Sequence, residues 1–469
     1  MAFTQFYTQT TGSNLNSGST NTDAATFTYT GGSWVAATGV FTVASGNPLS
    51  DGVTVGDFAS IYVTAGATVA TFIARITARD ATTVTVSLTA KSGTAPADGT
   101  GTLTMKVGGA WAGMSGSTSF PFGFVQATMV NTSSDATKVW IKGSYNITAA
   151  MTHANVGPVW FEGYTTTTGD EGCFTVDGGT SGASYILLTY SANVCGLANF
   201  IFSNNGATGA SDGISITGNS CTFRNGTIFN MRRCGMRATG NIKVCELEAY
   251  NCNTSNTAGF GNLQFATAGS SIERVVSHSS QSGVNCTGIV LDTSLNLIDC
   301  IVFGVQGYGI MSNGDTNQSF YNLTIRDTGN HNFYFSGGSQ VMSSSFTNCA
   351  FFKSGGYGIS FRTGGALGHI GNMLNCVFGS GTEGHTTANY NTGLGQAMMA
   401  IGESTFTANT NPWTAPSTGG FSISSSLLKG TGRGKYRITK AGLTQPTSYR
   451  DISAVQHQDT GGSAYTVAY

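Results

Sequence analysis

The chain has 469 residues, a formal net charge of −1, 66 glycines, only 7 prolines and 9% charged residues. Collagen is excluded because glycine follows no triplet period and proline is scarce; general disorder is excluded by a hydrophobic fraction of 40% that includes 28 phenylalanines. The near-zero charge argues against an electrostatic grip on nucleic acid or on an anionic membrane, and no apolar run reaches membrane-spanning length. The filler is Thr, Ser, Asn and Gly, which suits strands and tight turns rather than helices. The chain reads as nearly all β.

Residues 1–32 are Thr/Ser/Asn-rich and poor in apolar side chains, an arm that is either loose or ordered against a neighbour. The opening stretch has neither a basic nor an apolar export region, so synthesis and assembly in a cytoplasm are expected. Residues 33–125 form a small β-domain with a cap or linker. Within it, VTVGDFASIYV, TVATFIARITA and ATTVTVSLTA alternate apolar and polar at period two, with a hairpin turn at Asp80-Ala81-Thr82. This predicts a small antiparallel barrel or sandwich. The segment 108–125 is expected to cap the first coil of a repetitive region that begins just beyond it, since a bare coil is an open sheet edge.

Residues 126–400 repeat. Asn199, Asn225, Glu246, Glu273, Asp299, Asn322, Asn348 and Asn375 each lead a short apolar run, at intervals of 26, 21, 27, 26, 23, 26 and 27 residues. A second column, Gly213, Gly235, Gly261, Gly288, Gly309 and Gly358, follows the first by a little over ten residues, and Asn332 takes its place in one repeat. A repeat of about 25 residues is too short for a propeller blade and lacks the helix of a leucine-rich repeat. It fits one coil of a parallel β-helix, with coils stacking at ~4.8 Å, so eight coils make a rod of about 34 Å. Cys300, Cys349 and Cys376 each follow a column residue and are expected to be buried. None of the ten cysteines shows zinc or compact disulfide spacing, which reads as reduced thiols in the core. Residues 401–469 would close the far end and carry the basic cluster Arg433, Lys435, Arg437 and Lys440.

The stretch VWIKGSYNITAAMTHANVGPVWFEGY (139–164), together with the repeat, resembles right-handed parallel β-helices of the pectate-lyase type. NPWTAPSTGGFSIS (411–424) and RDISAVQHQD (450–459) are similar to the closing phrase of such proteins, with Ser453 where a glycine is usual. The resemblance implies an all-β fold: a right-handed parallel β-helix with a small N-terminal antiparallel β-domain and an extended N-terminal arm. It also directs attention to carboxylates, since such folds often act on polysaccharides.

Glu246, Glu273 and Asp299 stand in one column of three consecutive coils. Neighbours would be ~5 Å apart and the outer pair ~10 Å, against about 5–9.5 Å for glycosidase pairs. Any stacked fold gives these distances. They read instead as ladder positions balanced by Arg224, Arg232, Arg233, Arg237, Lys243 or Arg274, so no catalytic, cofactor or metal site is expected. The six histidines are scattered, and no Walker, Rossmann or Ser/His/Asp order appears.

A low-charge β-helix with a polar arm resembles virion proteins of tailed bacteriophages. The resemblance implies a non-enzymatic capsid cement or decoration protein, a homotrimer whose partners are the major capsid protein or other virion proteins, with no nucleic acid and no membrane. The alternative is a tailspike or fibre that binds or cleaves host surface polysaccharide.

Overall fold

The computed structural model describes residues 4–423, apart from 14–17, 21–24, 66–67, 89–94, 96, 113–135, 155–157, 280–284, 314–317, 337–341, 362–367, 375, 381, 383, 391–405, 409–412 and 416–419. Within these, every named element is a β-strand, and no helix is long and apolar enough to cross a membrane. The chain divides into two compact units, one of Met1–Gly179, Leu187–Ile201 and Thr217–Cys221, the other of Thr180–Ile186, Phe202–Ile216 and Thr222–Tyr469.

The first unit holds a closed antiparallel barrel of six strands: Ala25–Val35, Val40–Thr42, Phe58–Ala65, Thr68–Arg79, Thr83–Val86 and Gly99–Val107. Period-two alternation sends Trp34, Phe41, Ile61, Val63, Phe72, Val84 and Met105 inward. The expected turn is present: the Asp80 carboxylate accepts the backbone N–H groups of Thr82 and Thr83 at 2.7 and 2.6 Å.

The arm is ordered against its own chain. Thr4–Gln9 pairs in parallel with Thr137–Lys142, which in turn pairs with Val159–Gly163, so the N-terminal residues supply the first rung of a parallel coil. Phe6 stacks on Trp111 at 5.0 Å, and the Trp111 N–H donates to the Tyr7 carbonyl at 2.9 Å. Trp111 therefore covers the free side of that rung, as an exposed strand edge requires.

Inside the first unit, His153 lies between Phe161 and Tyr190 at 4.8 and 5.0 Å, with no partner for Nε2. Burial pushes its imidazole down to about 3, and burial likewise takes His331 and His385 to about 4. The unfolded chain takes up protons below about 6.5 while these folded sites do not, so stability is full above that value and falls as pH drops. For the deeply buried His153 the loss is about 1.4 kcal/mol per pH unit below about 6.5, until its folded value is reached. Thermal melts between pH 7.5 and 4.5 should show a falling midpoint, and His153→Leu should flatten the decline. An equal decline in that variant would contradict the assignment.

The second unit is a parallel β-helix. One sheet is formed by strands such as Ile214–Ile216, Met236–Ala238, Gly261–Phe265, Thr287–Leu291, Ile310–Ser312, Phe333–Phe335 and Tyr357–Phe361. We call it the facing sheet. After each of these the chain runs through two short legs that meet at a corner. The legs are continuous in Cys221–Phe229 and Ile242–Tyr250, and separate in pairs such as Ser271–Glu273 with Val276–His278. Each corner is one residue in the left-handed region: Asn225, Glu246, Arg274, Asp299, Asn322 and Asn348, with φ between 47° and 57°. Asn and Asp tolerate that conformation best, which is why they recur. Their amides also run along the stack, Asn348 Nδ2 to Asn322 Oδ1 at 3.2 Å and Asn322 Nδ2 to Asp299 Oδ1 at 2.7 Å.

The glycine column has a steric cause. A Cβ on Gly213, Gly235, Gly261, Gly288 or Gly309 would lie 2.5–2.6 Å from a backbone carbonyl oxygen of the next coil. The expected column of carboxylates needs one correction. Glu273 is not a corner residue: it sits one position earlier, level with Cys245 and Ile298, and Arg274 turns the corner. Asn375 and the basic cluster at 433–440 lie outside the described residues.

Candidate functional site

Charge is scarce in this protein, and two adjacent coils of the second unit bring Lys243, Glu246, Glu248, Glu273 and Arg274 close together. At the corner, Arg274 Nε donates to Glu246 Oε1 at 3.2 Å, and its Nη1 lies 3.9 Å from Glu273 Oε2. Lys243 Nζ is 3.9 Å from Glu273 Oε1, and the Ser271 hydroxyl donates to the same oxygen at 2.9 Å. Arg274 Nη2 also touches the Cys245 sulfur. Burial outweighs that cation and holds the Cys245 thiol above its ordinary value, which makes it a poor nucleophile. Glu246 is half exposed, Glu273 is largely covered, and Asp299, one coil on, is buried and receives Asn322. The three carboxylates expected from the sequence are therefore each engaged by a cation or an amide. Only Glu246 and Glu273 meet at one cation.

The second legs of these two coils and of the coils flanking them carry groups that the sequence reading missed. Phe229, Tyr250, His278 and Phe303 stack face to face, at 4.9, 4.9 and 4.8 Å with planes within 14° of parallel. The parallel register Tyr250↔His278↔Phe303 imposes this, since like positions of successive coils lie one above the next. His278 Nε2 faces Glu248 Oε1 at 3.0 Å, and its Nδ1 faces the Ser279 hydroxyl at 3.0 Å. Burial first, and Glu248 second, keep the Tyr250 phenol above its ordinary value and hence neutral. A signal for these residues was present: each ring sits four positions after its corner residue, Asn225, Glu246, Arg274 or Asp299. Counting from Glu273 hid His278 from that series.

The arrangement offers a carboxylate–imidazole pair able to move a proton, and beside it a guanidinium that could neutralise developing negative charge. Both sit on adjoining legs of the same two coils. Among the described residues, no group of three or more His, Cys, Asp or Glu could hold a metal ion.

No protein-family model matches the chain, and no curated protein matches it. Solved structures do. A pectate lyase superposes with a TM-score of 0.42 at 12% identity, over 72% of this chain and 91% of its own. The A-module of an Azotobacter vinelandii mannuronan C-5 epimerase gives 0.38 at 12% identity, over 60% and 93%. The tailspike protein of Pseudomonas phage LKA1 gives 0.29 at 11% identity, over 87% and 70%. At these identities the likeness concerns the fold alone. Two expectations change. A non-enzymatic chain was expected; that expectation is withdrawn, because the fold it rested on is shared with proteins named as a lyase and an epimerase. Capsid cement was the first reading and a tailspike or fibre the alternative; the phage protein among these three is named a tailspike. The all-β parallel helix with its small N-terminal antiparallel barrel is the fold that was expected.

Proposed function

We propose that this chain is a virion-associated β-helix of the tailspike or fibre kind that binds and cleaves a host surface polysaccharide. The observation that carries the reading is the concentration of Glu246, Glu248, Glu273, Arg274 and His278 on two coils, beside a ladder of rings, in a protein with so few charges. The Glu248–His278 pair serves as the proton-transfer group, and Arg274 holds Glu246 and Glu273 and stabilises charge formed on the sugar. Capsid cement offers no reason for an acid–base pair on a partly exposed leg.

The test is incubation of the full chain with host capsular polysaccharide and lipopolysaccharide, reading new reducing ends and unsaturated products. Product is expected from the wild type. Glu248→Gln and His278→Ala should each lower the rate by roughly 10²–10⁴ with the thermal midpoint nearly unchanged. Glu273→Gln should slow it less, through loss of Arg274 positioning. Absence of both product and glycan binding across those substrates would overturn the proposal.

A further inference from the structure

The phrase Gly-Tyr-Gly-Ile occurs twice, at 307–310 and 356–359, and the proposed site uses neither copy. Tyr308, His331 and Tyr357 stand two residues before Ile310, Phe333 and Ile359, which lie in register on three consecutive coils of the facing sheet. The Gly309 N–H donates to the His331 carbonyl at 3.0 Å and the Asn332 N–H to the Tyr357 carbonyl at 3.1 Å, so the three form one column. Tyr334 points outward between the inward Phe333 and Phe335, and it stacks on Tyr308 at 4.5 Å with planes 15° apart. The His331 ring lies 5.6, 5.5 and 5.4 Å from those of Tyr308, Tyr334 and Tyr357. All four rings are half-buried. A Cβ on Gly329 or Gly355 would lie 2.1 Å from a carbonyl oxygen of the preceding coil, so the turns bordering the rings carry no side chain at those positions.

The patch is neutral and rich in donors. His331 Nδ1 accepts the Tyr357 N–H at 2.9 Å, which puts the imidazole proton on Nε2. Burial takes that imidazole down to about 4, so it is uncharged at neutral pH, and burial keeps the Tyr308 phenol neutral. Among the described residues neither the Tyr334 nor the Tyr357 hydroxyl has a hydrogen-bond partner, and neither is a buried atom, so both reach solvent. A charged ligand would lose hydration here and gain no counter-ion. The surface instead suits an uncharged ligand with apolar rings and bare acceptors. Spacing narrows the choice. Coils rise ~4.8 Å, so Tyr308 and Tyr357 stand ~9.6 Å apart along the stack. A polyproline II helix repeats every three residues, about 9.3 Å, and its prolines offer apolar rings and carbonyls without an N–H.

We propose that Tyr308, His331, Tyr334 and Tyr357 form a docking surface for a proline-rich segment of another protein in the polyproline II conformation. Prolines three residues apart seat on Tyr308 and Tyr357, and the phenol and imidazole donors take the carbonyls between them. The segment comes from a different chain, since no two of the seven prolines in this one are three residues apart. Neither the Glu248–His278 pair nor a glycan enters this surface.

The test is calorimetric titration of the full chain with dodecaproline, with a Gly-Ser peptide of the same length as the flexible control and maltotetraose as a neutral sugar. Wild-type protein should bind dodecaproline, and the Gly-Ser peptide about tenfold more weakly or not at all. Tyr334→Ala should weaken dodecaproline binding by about tenfold. Tyr357→Phe, which keeps the ring and loses one donor, should weaken it by about threefold. The second variant gives an independent reading if Tyr334→Ala fails to fold by circular dichroism. Equal binding of the two peptides by wild type, no binding of either, or full dodecaproline binding by either folded variant would overturn the surface. So would maltotetraose binding that Tyr334→Ala abolishes, because the rings would then be a sugar platform. Each of these outcomes leaves the cleavage proposal to its own assay on host glycans.

Discussion

Cys349→Asp is expected to prevent folding of the second unit. Cys349 is fully buried immediately after the corner residue Asn348, and its Sγ lies against the Thr347 carbonyl at 3.4 Å and the Phe320 carbonyl of the preceding coil at 3.6 Å. Cys300 and Cys376 make the same two contacts, to Ile298 and Ile272 and to Leu374 and Phe346. The position places a thiol on the inner side of the corner in three coils, with Leu323 between Cys300 and Cys349, and burial already holds the Cys349 thiol well above its ordinary value. A carboxylate there would face two carbonyl oxygens without a cation, a loss expected to exceed ~5 kcal/mol. Cys349→Ala, which only removes one atom of packing, should cost about 1–2 kcal/mol. Soluble yield and thermal melts distinguish them. A folded Cys349→Asp melting within a few degrees of wild type would show that the inner column is misplaced.

The second large effect is expected at Arg233. Its two bonds to Asp212 form a bidentate pair in which the carboxylate is nearly fully covered, 2% exposed against 25% for the arginine. Asp212 also accepts the Cys234 N–H at 3.3 Å. Arg233→Met keeps the aliphatic stem and removes the guanidinium, with its charge and its place over the Phe260 ring. The buried Asp212 is then uncompensated, at a cost of about 3–5 kcal/mol. The double variant with Asp212→Asn should recover much of that loss, because no charge is left stranded. Chemical denaturation of the four species gives the coupling directly. A coupling near zero would mean that the pair is solvated and structurally idle.

The fold was legible because its causes are local and repeated. A left-handed corner selects Asn or Asp, a carbonyl 2.5–2.6 Å from a would-be Cβ selects Gly, and both signals recur once per coil. The site was not legible to the same degree. Residue type suggested Glu273 as the corner, but backbone geometry, which no residue type dictates strictly, gave that place to Arg274. One misplaced position moved His278 out of the ring series and left Glu248 without its partner. The meeting of Tyr334 with Tyr308 and His331 lies beyond any sequence reading, since a ring contact between coils depends on neighbours brought together by stacking. The arm's own partner was hidden for another reason. Its composition is that of a solvated tail, and only its pairing with Thr137–Lys142 and the packing of Phe6 on Trp111 order it.

That pairing sets an order of events during synthesis. Thr4–Gln9 leaves the ribosome well before its partner, Thr137–Lys142. At about 5–20 residues per second the early strand waits on the order of ten seconds with its hydrogen-bonding edge bare. All the barrel strands lie between them and half of their pairings join consecutive strands, so the barrel can close in the interval and shorten the effective loop that the late pairing must span. The barrel then acts as a splint for a coil that could not start at its own beginning, and nascent chains halted before residue 137 would present an unpaired strand to one another.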